Sequence, residues 1–222
     1  MKNCGKGKTV QTADLIDRLS SEDPIAPRSG AVVPLAGLLV GGCIVSFLVM
    51  WAWLGFRPDL AQAVATSAFW MKFAYTLTLA ALCFWLVERL GRPGAGIARP
   101  QRMILLPLAV IFVLAIAQIA TAPAALRMHL LMGASSQVCP WRIVALSLPI
   151  FVAAALGLRR LAPTRLVAAG AAAGLLAGAM GAWIYAFHCD ESAAPFIALW
   201  YTLGIATTGA IGGASGKWLL RW

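Results

Sequence analysis

The chain has 222 residues, of which 61% are hydrophobic and 12% are charged, and its mean hydropathy is +0.82. Soluble globular proteins carry about 25% charged residues, so this composition excludes a soluble domain and predicts an integral membrane protein. The net charge of +10 is divided among short basic clusters between apolar runs. This pattern indicates membrane topology, and we expect no direct contact with nucleic acid.

Residues 1–30 form a polar N-terminal segment, which we separate from a membrane domain of residues 31–222. The segment has no early apolar core, so we expect no cleavable signal peptide. Its stretch "TADLIDRLSSEDPIAPR" (12–28) predicts one short helix, capped by Thr12 and ended by Pro24. Such a helix is unstable alone in water, and its acidic residues disfavour anionic lipid, so we expect it to bind a groove on a protein partner. The apolar edge of the helix consists of Leu15, Ile16 and Leu19.

Six apolar runs without Asp, Glu, Lys or Arg follow this segment. They cover residues 30–56, 73–87, 103–126, 143–158, 166–189 and 192–216. A helix needs roughly 20 apolar residues to cross a bilayer. The second run reaches that length only if it begins near Ala61 and includes Lys72, whose long side chain we expect to reach the membrane surface beside Trp70. The fourth run is short, which places residues 139–141 at the surface. The sequence therefore predicts an all-α bundle of six transmembrane helices.

The basic residues alternate along the chain in a way that predicts its topology. Fourteen of the 18 Lys and Arg residues precede the first span or follow the second, fourth or sixth, and four lie on the other side. Basic residues accumulate on the cytoplasmic side of a membrane, so both termini are expected in the cytoplasm. Three loops are then expected on the outer side, around residues 56–66, 122–141 and 188–194.

Small residues recur at four-residue intervals in the last two spans, and more weakly in the first. They are Gly170, Gly174 and Gly178 in the fifth span, Gly204, Thr208, Gly212 and Gly216 in the sixth, and Gly37 and Gly41 in the first. Lipid gives helices no hydrophobic reason to meet, so close approach depends on small residues. We expect the fifth and sixth helices to pack tightly against their neighbours.

The spans carry almost no ionisable residues, which disfavours several functions. No Asp or Glu lies in the middle of a span, so a coupled transporter is disfavoured. The two histidines, His129 and His188, fall in outer loops, which disfavours haem binding. The sequence has no nucleotide-binding glycine loop and no Ser–His–Asp arrangement, so we do not expect an enzyme.

Two of the five cysteines, Cys139 and Cys189, share the predicted outer side and lie close to helix ends. Oxidising conditions there favour a disulfide, which the chain-entropy model values at roughly 4 kcal/mol. An exposed, regulated pair is a second alternative, in which His188 promotes the Cys189 thiolate. A third is a thiophilic metal ion held by Cys139, Cys189 and His188. Asp190 and Glu191 are expected to begin the sixth helix. The other cysteines are interpreted as one cytosolic thiol, Cys4, and two packing residues, Cys43 and Cys83.

Four stretches of the chain form a pattern when they are taken together. They are "DLIDRLS" (14–20), "GFRPDLAQAVATSAFWMKFAYTLTLA" (55–80), "LRRLAPTR" (158–165) and "YAFHCDESAAPFIALWYTLGIA" (185–206). In this order they resemble the negative regulator of sigma-F family, the six-helix membrane anti-sigma factors of bacteria. The strongest parts are the RPDL and FWxK elements, and the HCxE turn followed by FxALWYTLG.

The resemblance implies a regulator of the bacterial inner membrane without enzyme activity or a resident cofactor. Such a protein holds an extracytoplasmic-function sigma factor through its cytoplasmic N-terminal segment. It releases that factor under oxidative or heavy-metal stress, when a heavy-metal ion can bind transiently at the outer cysteines. The sensing cysteines of the family match Cys139 and Cys189. The sigma-factor contact region of the family maps onto Asp14, Leu15, Ile16 and Leu19.

Two other functions stay open at the level of sequence. A membrane thiol oxidoreductase would need a CxxC unit or a second nearby cysteine pair, together with a quinone site, and the chain offers one outer pair. A small-solute or metal-ion permease would need polar residues along the spans, which are scarce. Both fit the sequence less well than an anti-sigma factor does.

Overall fold

The computed structural model describes residues 12–13, 16–17, 32–92 and 94–221, and every regular element in these ranges is helical. The described residues before position 32 are Thr12, Ala13, Ile16 and Asp17, and all four have helical conformation. The helices that follow are α1 Val32–Trp53, α2 Leu60–Ala63, α3 Ser67–Leu90, α4 Ala98–Thr121, α5 Ala124–Met132, α6 Cys139–Arg159, α7 Leu166–Tyr185 and α8 Ala194–Leu219.

Six of these helices, α1, α3, α4, α6, α7 and α8, are long and apolar enough to cross a membrane. The predicted all-α architecture with six candidate spans is therefore confirmed for the described residues. The fourth span differs from its apolar run, because α6 begins at Cys139 and has 21 residues. Pro140 lies in its first turn, where a missing N–H costs no hydrogen bond. The second span begins at Ser67. Thr66 caps this helix, because its side chain accepts a hydrogen bond from the Phe69 amide at 3.3 Å.

Helix α7 lies at the centre of the bundle. It packs against α3, α6 and α8, and α1 packs against α6 and also contacts α7. Helix α4 is the least buried of the long helices and contacts α3 and the first turns of α8. Large apolar side chains such as Leu106, Val113 and Ile116 are exposed along α4, as expected for a helix that faces hydrocarbon.

Glycines set the distance between α7 and α8. A Cβ atom added at Gly170 would collide with the carbonyl oxygen of Gly212, and one added at Gly174 would collide with that of Thr208. A Cβ atom added at Gly178 would lie 2.9 Å from the Cα atom of Ile205. Gly204 of α8 instead faces α6, where its added Cβ would lie 3.0 Å from the Cβ of Ile143. Helices α7 and α8 thus meet backbone to backbone.

The loops after α1, α4 and α7 meet at one end of the bundle, which we call the cysteine end (residues 54–66, 122–138 and 186–193). The amide of Arg57 donates to the Phe187 carbonyl at 3.1 Å, which joins the first and third loops. The second loop contains the helix α5, in a stretch for which the sequence predicted only an outer loop. None of its residues is buried, so it has no apolar periodicity toward a core that could predict it.

Glu191 does not begin the last helix, and that expectation is wrong. Helix α8 begins at Ala194, whose amide donates to the Gln118 side chain of α4 at 2.9 Å. Glu191 accepts instead from the amide of Ala134 at 2.6 Å. Its carboxylate also fills the space beside Gly133, which has a positive φ of 52°. The acidic residue therefore ties the third loop to the second.

Candidate functional site

Cys139 and Cys189 lie together at the cysteine end. Cys139 is the first residue of α6, and Cys189 follows α7 with its amide bonded to the Tyr185 carbonyl at 3.0 Å. The two side chains share a thiol–thiol hydrogen bond, and both residues are free cysteines in the structure. The residues are 0% and 3% exposed. An exposed pair was one of the alternatives that the sequence left open, and in the structure the pair is buried where three loops converge.

Lys72 lies beside this pair, and the expectation that it reaches the membrane surface is wrong. Lys72 is fully buried, and its Nζ donates to the Cys189 carbonyl at 2.9 Å. The same Nζ atom lies 5.5 Å from the centroid of the Tyr201 ring. The helix explains the error, because residues two apart differ by about 200° around the axis. Trp70 is exposed, so Lys72 must point inward.

Arg57 is a second buried cation at the same carbonyl, but its charge is balanced. Its Nε and Nη2 atoms each lie 2.7 Å from an Asp59 carboxylate oxygen, and its Nη1 donates to the Cys189 carbonyl at 3.2 Å. The hydrogen bond from Arg57 lowers the pKa of the Asp59 carboxyl, and the same bond raises the pKa of Arg57. Among the described residues, no carboxylate lies within ion-pair distance of Lys72.

The hydroxyl of Tyr201 faces the sulfur of Cys189. Tyr201 is the last residue of a π-helical turn, Ile197–Tyr201. Such a turn changes the direction of the side chains around the axis of α8 relative to a regular α-helix. Tyr201 is fully buried, and its hydroxyl has no hydrogen-bond partner among the described residues. The hydroxyl lies close enough to the Cys189 thiol to lower the pKa of that thiol.

The electrostatic surroundings favour ionisation of Cys189. The pKa of Cys189 is lowered to about 6, first by the hydrogen bond from the Cys139 thiol and further by the charge of Lys72, the Tyr201 hydroxyl and the Glu191 amide. Burial acts in the opposite direction, because it penalises a charged sulfur. A thiolate is the nucleophilic form of cysteine, so the site is suited to thiol chemistry.

His188 is adjacent to Cys189 in sequence but its ring is engaged elsewhere. Its Nδ1 lies 3.1 Å from the Gly55 carbonyl oxygen, and its Nε2 lies 3.3 Å from Nη1 of Arg142. The contacts fit a neutral ring that donates from Nδ1 and accepts at Nε2. Within the part of the chain that the structure describes, no group of three or more His, Cys, Asp or Glu residues could hold a metal ion. The structure thus assembles two thiols without a third ligand.

The elements quoted from the sequence as separate strings meet in this site. RPDL supplies Arg57 and Asp59, FWxK supplies Lys72, and HCxE supplies Cys189. Sequence reasoning missed Lys72, Arg57 and Tyr201 as site residues. The 200° offset between Trp70 and Lys72 could have predicted that Lys72 points inward. The contacts of Arg57 and Tyr201 depend on tertiary structure, which the sequence does not give.

The N-terminal residues expected to contact a sigma factor lie mostly outside the described residues. Ile16 is helical and 59% exposed, whereas Asp14, Leu15 and Leu19 are not described. Thr12 itself has helical conformation, whereas a capping residue has non-helical backbone angles, so the expectation that Thr12 caps the helix is wrong. The exposed apolar side chain of Ile16 is available to a partner.

Comparisons with known proteins agree with this arrangement of motifs. Residues 19–222 match the sequence model of the family described as negative regulator of sigma F. The anti-sigma-F factor NrsF of Caulobacter vibrioides (strain NA1000 / CB15N) is 41% identical over 221 residues, covering 96% of this chain and 100% of the relative. The probable anti-sigma-F factor NrsF of Azospira oryzae (strain ATCC BAA-33 / DSM 13638 / PS) is 37% identical over 213 residues, with the same 96% and 100% coverage.

No solved structure matches the chain. Both relatives carry the names of regulatory proteins, in keeping with the expectation that the chain is not an enzyme. The family match covers all six long helices and every residue of the thiol site. The chain therefore belongs to the negative regulator of sigma F family.

Proposed function

We propose that the protein is an anti-sigma factor of the bacterial inner membrane. It holds an extracytoplasmic-function sigma factor through residues 1–30, and it releases that factor when Cys139 and Cys189 react under oxidative or heavy-metal stress. Family membership and the names of the two relatives support the sigma-factor partner. The observation that carries the sensing role is the pair of buried thiols beside the ammonium group of Lys72.

The position of the pair offers a route from thiol chemistry to the rest of the bundle. Cys139 opens α6, Cys189 follows α7, and Lys72 of α3 holds the Cys189 carbonyl. A changed distance between the two sulfur atoms would shift α6 relative to α7 and α8. For such a shift to release a partner, the two arrangements must differ in their affinity for the sigma factor.

The burial of the pair favours sensing over catalysis by a thiol oxidoreductase. An oxidoreductase must present its nucleophilic sulfur to a substrate disulfide, and exposures of 0% and 3% leave almost no surface for one. A small oxidant or a metal ion can reach such sulfurs through brief local opening. The permease alternative gains no support, because the walls of the bundle are apolar.

The test is capture and release of the sigma factor by the full-length protein purified from bacterial cells. We expect a sigma factor to copurify with the wild-type chain and with a Val10→Asp control, and to be lost from a Leu15→Asp, Leu19→Asp double variant. Hydrogen peroxide should then elute the factor from the wild type within minutes, while Cys189→Ser retains it. Cys43→Ser is the matched control for the second step and should behave as wild type.

The two halves of this experiment can fail separately. If no sigma factor is enriched over the double variant, the chain is not an anti-sigma factor that binds through residues 1–30. If peroxide releases the factor equally from the wild type and Cys189→Ser, the binding role stands and the sensing role is wrong.

A further inference from the structure

Lys72 is a buried cation without an acidic partner at ion-pair distance among the described residues. Its Nζ has one hydrogen-bond acceptor, the Cys189 carbonyl at 2.9 Å, and one aromatic neighbour, Tyr201, at 5.5 Å. A buried ammonium group is costly unless an opposite charge lies close to it. The residue whose carbonyl it contacts, Cys189, carries a titratable sulfur that can supply a negative charge at this position.

The donors around the two sulfur atoms are distributed unequally. The sulfur of Cys189 faces three hydrogen-bond donors, which are the Cys139 thiol, the Tyr201 hydroxyl and the Glu191 amide. Cys139 begins α6, and a helix N-terminus also favours a thiolate. The three donors act on Cys189 directly, because a hydrogen bond to the charged form of a sulfur stabilises that form. The Tyr201 hydroxyl, which otherwise has no partner among the described residues, gains an acceptor when Cys189 is ionised.

The other charged and titratable groups near Cys189 are engaged with one another. Arg57 is paired with Asp59, Glu191 accepts from Ala134, and Arg142 contacts His188. Asp190 is exposed on the same loop as Cys189. The groups that face Cys189 from the packed elements are Arg57 and Asp59 after α1, Lys72 of α3, Cys139 and Arg142 of α6, Tyr185 of α7 and Tyr201 of α8. Lys72 is the fully buried cation in this set without a carboxylate at ion-pair distance, whereas Arg57 is paired with Asp59 and Arg142 is partly exposed.

We propose that Lys72 is the counter-cation of a Cys189 thiolate, with Cys139 and Tyr201 as its hydrogen-bond donors, so that Cys189 is the residue of the pair that reacts first. This assignment deepens the proposed sensing role and depends on it only for the biological signal. Lys72 acts as a positioning residue, because it sets the charge state of the sulfur and does not react. The lowered pKa of Cys189 agrees with the arrangement.

The assignment gives a balanced route for oxidation by a hydroperoxide. The Cys189 thiolate attacks the distal oxygen, the O–O bond breaks, and Cys189 becomes a sulfenic acid while the leaving alkoxide takes a proton from water. The Cys139 sulfur then displaces the hydroxyl group, which leaves as water with the Cys139 proton, and the S–S bond forms. The cysteine pair loses two electrons and the hydroperoxide gains them. Lys72 is then left without a counter-anion, so oxidation perturbs α3 as well as α6 and α7.

The test measures the rate at which iodoacetamide alkylates Cys189 in the reduced, detergent-purified full-length chain between pH 5 and pH 10. Peptide mass spectrometry reports each cysteine separately. We expect the wild-type rate to level off near pH 6 to 7, and the midpoint to move upward in Lys72→Met. At pH 7 that variant should react about twofold more slowly if its midpoint reaches the ordinary cysteine value of about 8.5, because the loss of thiolate slightly exceeds the greater nucleophilicity of a more basic thiolate. Lys72→Arg should keep a low midpoint, and Lys217→Met, at the other end of the bundle, should match the wild type.

Two results would overturn the proposal. One is an unchanged midpoint in a Lys72→Met chain that keeps wild-type helicity and thermal stability. The other is faster alkylation of Cys139 than of Cys189 in the wild type. If Lys72→Met does not fold, Tyr201→Phe removes one donor with little change of shape, and its midpoint must also rise. The readout needs no sigma factor, so it stands or falls independently of sigma-factor binding.

Discussion

The ion pair between Arg57 and Asp59 organises the cysteine end at the scale of single residues. The bidentate contact, with both N–O distances at 2.7 Å, holds the guanidinium so that Nη1 reaches the Cys189 carbonyl. Without Asp59, two uncompensated cations, Arg57 and Lys72, would converge on one carbonyl oxygen. The carboxylate therefore keeps the net charge around the thiols low enough for the loops to close.

Asp59→Asn is expected to lower the thermal midpoint of the purified protein by a few degrees at pH 7. Because the pair lowers the pKa of Asp59, its contribution to stability is present above the ordinary carboxyl pKa of about 4. It is lost as the pH falls through the lower, folded-state pKa. Melting curves from tryptophan fluorescence between pH 3 and pH 8 should therefore converge for the variant and wild type at the acidic end.

Asp190→Asn is the matched control for this prediction. Asp190 is an exposed acid of the same end and takes part in neither ion pair of the described residues. Its midpoint should follow the wild type across the pH range. Equal effects of both substitutions at pH 7 would show that net charge, and not the Arg57 contact, supports this end of the bundle.

The thiol pair could be predicted from the sequence more fully than its surroundings. Charge alternation grouped Cys139 and Cys189 on one side, and the structure brings them together. Lys72 was placed at the surface because a long side chain near a span end can reach water. Its actual position depends on helix phase, Arg57 reaches the Cys189 carbonyl across 132 positions of sequence, and the Tyr201 ring lies beside Lys72 across more than 100 positions. Such contacts leave no local periodicity.

At the scale of helices, the contact between α7 and α8 is the closest in the bundle. Gly170 and Gly212 each lie against the carbonyl oxygen of the other, and Gly174 lies against that of Thr208. These neighbours are backbone atoms, which cannot rotate away as a side chain can. The packing is therefore intolerant of added volume.

Gly174→Leu is expected to separate α7 from α8 and to destabilise the bundle. Overpacking costs about 1–3 kcal/mol in cores that can adjust, and the backbone neighbours here put the expected loss at the upper end. Gly37→Leu is the matched control, since a Cβ at Gly37 meets nothing within 4 Å. Size-exclusion profiles and melting curves in detergent should show loss of monodisperse protein for Gly174→Leu alone. Equal behaviour of the two variants would mean that the α7–α8 contact does not limit stability.

The glycine spacing was a good guide in α7 and a poor one in α1. Gly37 and Gly41 have the same four-residue spacing as the α7 glycines, yet an added Cβ at either meets open space. The residue of α1 that packs is Gly42, against Ile150 and Ala153 of α6. A small residue permits close approach but does not cause it. The helix neighbours must be known before the spacing can be interpreted.

At the scale of the whole molecule, the two ends of the bundle differ in charge. At the end opposite the cysteines, the loops after α3 and α6 meet where Gly91 faces Leu161, and Arg159 donates to the Leu219 carbonyl. This end gathers the basic residues Arg89, Arg92, Arg99, Arg102, Arg160, Arg165 and Lys217. At the cysteine end, Arg57 is neutralised and Lys72 is buried. The difference in exposed positive charge between the two ends is therefore larger than the count of Lys and Arg residues alone suggests. This difference favours a cytoplasmic position for the basic end.

Accessibility of introduced cysteines in intact cells measures this orientation. Ala65 lies on the exposed part of the cysteine end, and Ala98 is exposed at the start of α4 on the basic end. In a Cys4→Ser background, a membrane-impermeant maleimide should label Ala65→Cys in cells with a permeabilised outer membrane, and Ala98→Cys only after lysis. Cys139 and Cys189 should contribute little signal, because both are buried. Labelling of Ala98→Cys in intact cells would reverse the orientation, and the thiol pair would then face the reducing cytoplasm, where a disulfide switch has little use.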